Sequence, residues 1–250
     1  MVSPYEVSQK LVISGQFVEH YQYEQPYIKG MPQFKPFRLR VSKRKDLSTQ
    51  EALREDNVRR TRTRIRRLVN SNHQLDRFMT LTFAENVKSL SEANACFYLF
   101  VKRLRYLYPG FEYLCVPEFQ KRGAVHYHLL CNTPFIPRNE LEKIWGFGYV
   151  FLRKIDKIDN LGAYICKYLG KDNFDERLFR KKKFFYSVSL MKPLILDKLE
   201  DIKEALLLIP EFFWEKVRHF VFLTDFLGVV KYKQIKVFDS YPLFNSVSYG

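Results

Sequence analysis

The chain gives disulfide chemistry little to work with. Its 250 residues include 4 cysteines, Cys96, Cys115, Cys131 and Cys166, and no two of them stand at a CxxC spacing. No disulfide framework is expected, and reduced thiols are. Long hydrophobic runs are missing too. A spanning helix needs about eighteen or more consecutive apolar residues. The nearest approach, Phe220 to Val230, is short and interrupted by Asp225, so no membrane partner is expected. The start, MVSPYEVSQK, lacks a charged-then-apolar pattern; a secretory signal is not expected and a cytoplasmic location is. No internal repeat, low-complexity tract or Pro/Gly/Ser linker is visible, which excludes collagen, coiled coil and disorder as the main character. Negative charge is also scarce: 27 Asp and Glu stand against 42 Lys and Arg, for a net charge of +15.

An excess of that size points to a polyanionic partner, because cationic side chains that neutralise phosphates release counterions. With 46% hydrophobic and 28% charged residues, the composition is otherwise that of an ordinary globular protein able to bury a core without crosslinks. Aromatic residues reach 16%, 23 of them Phe and 16 Tyr. Such rings can stack on unpaired bases, although most are expected in the core.

Residues 11–41 read as short β segments interrupted by Pro26, Pro32 and Pro36. A charged helix follows, with Ser48 as N-cap and Glu51 at the capping-box spacing. Val58, Ile65, Leu68 and Val69 form its narrow apolar stripe, and its other faces carry Arg54, Arg59, Arg60, Arg62, Arg64, Arg66 and Arg67. A solvated surface and a phosphate-binding surface are both open readings of that helix. From Arg77 onward β and α segments alternate: a strand at 78–83, a helix at 90–108, strands at 111–119 and 124–131 separated by QKRG, a short helix at 139–145, a strand at 148–154 and a helix at 158–169. A basic run, Arg180 to Lys183, leads into FFYSVS; a helix near 194–208 and strands at 220–223 and 229–238 complete the chain. The hairpin and the rarity of helix-to-strand crossovers favour an α+β fold with a mostly antiparallel sheet.

The sharpest signal is His126-Tyr127-His128 within a strand. Alternation puts both imidazoles on one face, two strand rises apart, a spacing suited to joint coordination of one divalent ion. Ordinary surface or core histidines are the competing reading. If Lys121-Arg122-Gly123 is a three-residue loop with Gly123 left-handed, Gln120 pairs with Ala124 and Glu118 falls opposite His126 on the same face. A carboxylate beside two imidazoles suits Mg²⁺ or Mn²⁺ better than a closed structural zinc site. The second signal is Tyr164-Ile165-Cys166-Lys167-Tyr168, with tyrosines one helical turn apart. The apolar stripe of that helix centres on Ile158, Leu161, Ile165 and Leu169, which leaves Tyr164 further from it than Tyr168. A phenol with a pKa near 10 is a poor nucleophile unless its target is polarised, so the two signals make chemical sense together.

FMTLTF, then Glu118 eight residues before HYH, then YICKY resemble the three ordered motifs of HUH rolling-circle replication initiators, the phage and plasmid group with two tyrosines in particular. FYSVSLMKP also looks like a segment of that group, with Val188 standing where arginine is expected. The resemblance covers residues 75–195. It implies an HUH endonuclease with a five-stranded antiparallel sheet, acting as a nickase and strand transferase on single-stranded, hairpin or cruciform origin DNA. Glu118, His126 and His128 would hold Mg²⁺ or Mn²⁺, Tyr164 and Tyr168 would be the first and second nucleophiles, and Lys167 would assist them. Thr80 and Thr82 sit in the first motif as supports. Arg62, Arg64, Arg66, Lys121, Arg122, Arg180, Lys181 and Lys182 are the expected nucleic-acid contacts. The expected division is an N-terminal β and basic-helix region at 1–71, the endonuclease at 72–195, and a C-terminal helix and strands at 196–250. No GxxxxGK[ST] occurs, so unwinding is left to a host helicase and extension of the 3′-OH to a host polymerase. An HUH transposase or relaxase and a non-catalytic basic nucleic-acid-binding module are the alternatives; only the enzymes would form a covalent DNA adduct.

Overall fold

A computed structural model describes residues 3–30, 47–155, 161–168, 177 and 181–237. In chain order the elements begin with strands β1 (Tyr5–Ser14) and β2 (Phe17–Lys29), helix α1 (Leu47–Asn70), strand β3 (Arg77–Phe83) and helix α2 (Leu90–Leu107). Strands β4 (Tyr113–Phe119) and β5 (Val125–Cys131), helix α3 (Arg138–Trp145), strand β6 (Gly148–Lys154) and helix α4 (Leu161–Tyr168) follow. Strands β7 (Phe185–Tyr186) and β8 (Leu194–Leu196), helix α5 (Leu199–Leu207), a 3₁₀ turn at Glu211–Lys216, and strands β9 (Arg218–Thr224) and β10 (Gly228–Lys236) complete the set. Two antiparallel five-stranded sheets with helices make this an α+β fold.

The chain forms two compact units, one from residues 48–191 and one from 1–47 with 192–250. In the 48–191 unit the strand order is β6-β3-β5-β4-β7. Period-two alternation sends Met79, Leu81 and Phe83 of β3, with Tyr127 of β5, into a core shared with Phe97 and Phe100 of α2 and Trp145 of α3. The opposite face buries Phe78, Leu114, Val116 and Leu130 against Ile65, Leu68 and Val69 of α1 and Ile165 of α4. The stripe expected on the basic helix is thus buried, and it is what draws α1 into this unit. Packing therefore differs from the expected boundary at 71/72, since the burial of α1 outweighs its place in the sequence.

The other unit has strand order β8-β1-β2-β10-β9. Its core joins Leu11, Ile13, Val18 and Ile235 of the sheet to Ile202 and Ala205 of α5. Two expectations are corrected here. Pro26 does not interrupt β2: between the Val7↔Tyr27 and Gln9↔Gln22 pairs the register shifts, and β10 pairs only as far as Tyr23, so Pro26 occupies a bulge where no ladder N–H is required. Pro32 and Pro36 lie outside the described residues. Leu194–Leu196, expected to be helical, instead pairs with the outer edge of β1, so the boundary expected at 195/196 falls within a strand. Leu194 and Leu196 pack on the core while Ile195 points outward, a period of two that a three-residue apolar run cannot declare by itself.

Candidate active site

The β4–β5 hairpin sets the geometry. Gln120 N–H donates to the Ala124 carbonyl at 2.8 Å, Gly123 N–H donates to the Gln120 carbonyl at 2.8 Å, and Gly123 has φ +88°. The loop is therefore Lys121-Arg122-Gly123, and its odd length brings Glu118 directly opposite His126. Across β3, Thr82 pairs with His126 and Thr80 with His128. Glu118, His126, His128, Thr80 and Thr82 thus share one sheet face.

His128 is held at both ring nitrogens. Nδ1 lies 3.3 Å from Thr80 Oγ1 and Nε2 lies 2.5 Å from Glu118 Oε2. Its ring stacks on Phe78, with centroids 5.8 Å apart and planes 16° from parallel. His126 is different. Its ring lies 6.1 Å from that of His128 at 70°, and among the described residues its Nε2 is buried with no hydrogen-bond partner. Burial first, and the neighbouring His128 second, push its pKa down to about 4. The ring is therefore neutral near pH 7, with a nitrogen that nothing satisfies.

Among the described residues no three His, Cys, Asp or Glu side chains are gathered into a ready-made metal site. Glu118 closes on His128 instead. The donor chemistry still fits a divalent ion, because one carboxylate and two imidazoles share a face and one imidazole nitrogen is an orphaned buried atom.

Helix α4 docks on α1 through small and apolar residues. A Cβ at Gly162 would sit 2.6 Å from the Arg66 carbonyl oxygen and 2.5 Å from Asn70 Oδ1. Ile165 is buried, and Cys166 Sγ donates to the Arg62 carbonyl at 3.2 Å. The residues packed on α1 are therefore Gly162, Ile165 and Cys166; of the expected stripe, Ile158 and Leu169 lie outside the described residues. Gly162 carries no apolar signal, which is why periodicity missed it. Tyr164, Lys167 and Tyr168 stand on α4, and their side chains lie outside the described residues.

The expected nucleic-acid contacts do not form one patch. Arg62 and Arg66, with Arg59, line a groove that also includes Cys166 of α4. Arg64 points elsewhere, its guanidinium 5.5 Å from the Phe184 ring centroid. Lys121 is exposed at the hairpin tip. Arg122 fastens that tip, donating to Gln120 Oε1 at 2.9 Å and to the Phe83 carbonyl at 2.9 Å. Lys181 and Lys182 are exposed, with Lys182 Nζ 5.2 Å from the Phe185 ring centroid; Arg180 lies outside the described residues. Arg59 was missed as a groove residue, although its place at i−3 from Arg62 was a readable signal.

Residues 76–173 match the family model for replication-associated protein ORF2. The matched segment runs from the start of β3 past α4, and so includes the whole carboxylate–histidine face and the tyrosine helix. The likeness supports a role in replication initiation, with DNA as the partner. Neither a curated protein nor a solved structure matches the chain.

Proposed function

We propose that this protein is a rolling-circle replication initiator of the HUH type that nicks single-stranded origin DNA through a tyrosine. The observation that carries the reading is the Glu118, His126 and His128 face of an antiparallel five-stranded sheet, within the segment that resembles a replication-protein family. Glu118, His126 and His128 would hold Mg²⁺ or Mn²⁺, which when bound withdraws charge from the scissile phosphate. Thr80 fixes the His128 ring through Nδ1, leaving Nε2 directed at the site. Tyr164 gives up its phenolic proton to solvent and bonds to phosphorus; the P–O3′ bond breaks, and the departing 3′ oxygen takes a proton. The products are a 5′-phosphotyrosine and a free 3′-OH. Lys167 holds the phosphate or eases tyrosine ionisation, and Tyr168, one turn on, makes the second attack that releases the completed strand. Host helicase and polymerase, in the cytoplasm of a bacterial host, supply unwinding and extension.

Incubating the full chain with single-stranded origin DNA and Mn²⁺, followed by denaturing electrophoresis, tests this. A covalent adduct is expected, lost in Tyr164→Phe and in His126→Ala. Tyr168→Phe should still form the first adduct but fail to support repeated transfer. An adduct peptide carrying only Tyr168 would reverse the order of the tyrosines, and no adduct with any divalent metal would reduce the protein to a binding module.

A further inference from the structure

Strand β6 is an edge of the β3–β7 sheet, and half of its residues serve no core. Its register on β3 pairs Tyr149 with Thr82 and Phe151 with Thr80. Continuing across β5 and β4, Glu118, His126, Thr82 and Tyr149 form one cross-strand row; Val116, His128, Thr80 and Phe151 form the next. Tyr149 and Phe151 are therefore on the face that carries the histidines, while Val150 on the other face is buried in the core. The two rings are 57% and 56% exposed. Adjacent aromatic residues on one face of an edge strand, this open to solvent, are not explained by packing.

The geometry points to a base-stacking site for single-stranded DNA on β6, with Tyr149 and Phe151 as the platform. This deepens the reading of the neighbouring face as a nicking site and rests on it. The occupant follows from what surrounds the rings. The strand continues into exposed Arg153 and Lys154, Lys154 pairs with Arg77 on β3, and the whole chain carries +15. Arg153 also lies over Phe78, 5.6 Å from its centroid, so the cationic edge is tied to the ring that stacks on His128. Two flat rings bordered by cations suit base faces and phosphates; a protein partner would call for a wider apolar patch. Duplex DNA keeps its base faces covered, so the strand must be unpaired. Tyr149 stands about 10 Å from His126, two strand spacings along the row. A base stacked there would belong to a nucleotide close to the phosphate being cleaved, so the platform would fix which phosphate is presented.

The test is fluorescence anisotropy of the full chain, in chelator, with labelled oligothymidylate and with an abasic oligonucleotide of equal length. Tyr149→Ala with Phe151→Ala should weaken oligothymidylate binding by about fivefold to a hundredfold, while abasic binding stays unchanged. Exchanging the residues, Tyr149→Phe with Phe151→Tyr, should restore parental affinity because the aromatic faces remain. Should the double alanine variant fail to fold, Phe151→Trp decides. Its added fluorescence should be quenched by oligothymidylate and not by the abasic strand. An equal weakening on both oligonucleotides, or an unquenched Trp, would overturn the platform. Because the assay needs no cleavage, base-dependent binding in a chain that never forms an adduct would overturn the nicking reading and leave the platform standing.

Discussion

A histidine fixed at both nitrogens cannot rotate without breaking a hydrogen bond, and His128 is in that position. Thr80 Oγ1 on one side and Glu118 Oε2 on the other hold its ring over Phe78. If the ion displaces Glu118 from the ring, Thr80 alone keeps Nε2 aimed. Thr80→Val, close to isosteric, should then raise the Mn²⁺ concentration for half-maximal nicking by about 10- to 100-fold, with metal-free DNA binding unchanged. Parental Mn²⁺ dependence in the variant would remove Thr80 from that role. A second histidine reports on stability. His20, hydrogen-bonded to Gln9 Oε1 at 2.7 Å, has its pKa pushed down to about 4 by burial, with Lys233 adding to the effect. Its ordinary value is 6.5, so the unfolded chain binds the proton more readily between pH 6.5 and 4. Folding stability is accordingly full above pH 6.5 and lost as pH falls toward 4. Melting temperature should drop by several degrees across that window, and His20→Gln should flatten the drop.

At the scale of elements, the packing of α4 on α1 decides where the tyrosine helix sits. Replacing glycine by alanine within a helix ordinarily gains about 1 kcal/mol. At Gly162 the added methyl would meet the Arg66 carbonyl at 2.6 Å, and a backbone oxygen does not move cheaply. Overpacking of this kind costs about 1–3 kcal/mol, so Gly162→Ala should lower stability overall. Because the displaced helix carries Tyr164, adduct formation should fall further than the folded fraction measured by denaturant titration; equal falls would make the packing purely structural. The β4–β5 hairpin was legible beforehand because a glycine and an odd loop length suffice to set parity, and parity alone puts Glu118 beside the histidines. Other elements were not legible for equally physical reasons. Leu194–Leu196 is too short to show a period, Pro26 is tolerated only because a bulge relieves it of a ladder bond, and Gly162 meets α1 by having no side chain. The grouping of Arg62, Arg64 and Arg66 failed because charge carries no facing information: one helical turn separates Arg62 from Arg66, and Arg64 falls on the far side.

At the scale of the whole molecule, the positive excess predicts binding that weakens steeply with salt. The groove carrying Arg62 and Arg66 should account for part of it. Arg62→Ala with Arg66→Ala is expected to reduce the slope of log affinity against log salt by about 1.4 on single strands, at about 0.7 for each phosphate no longer neutralised. Arg64→Ala, which removes the stacking on Phe184, should leave the slope unchanged. An unaltered slope in the Arg62/Arg66 variant would return the helix to the solvated reading.

The two units also differ in how their strands are spread along the chain. Every strand of the β3–β7 sheet lies within residues 48–191, whereas β2 finds its second partner only at Lys236 to Val230. During translation, at roughly 5–20 residues per second, the histidine-bearing sheet can close while the last part of the message is still being read. The β1–β2 hairpin spends that interval, a few seconds, with both outer edges unpaired. Such edges recruit other strands, so crowding of ribosomes on one message would penalise the terminal sheet and spare the sheet that carries the chemistry.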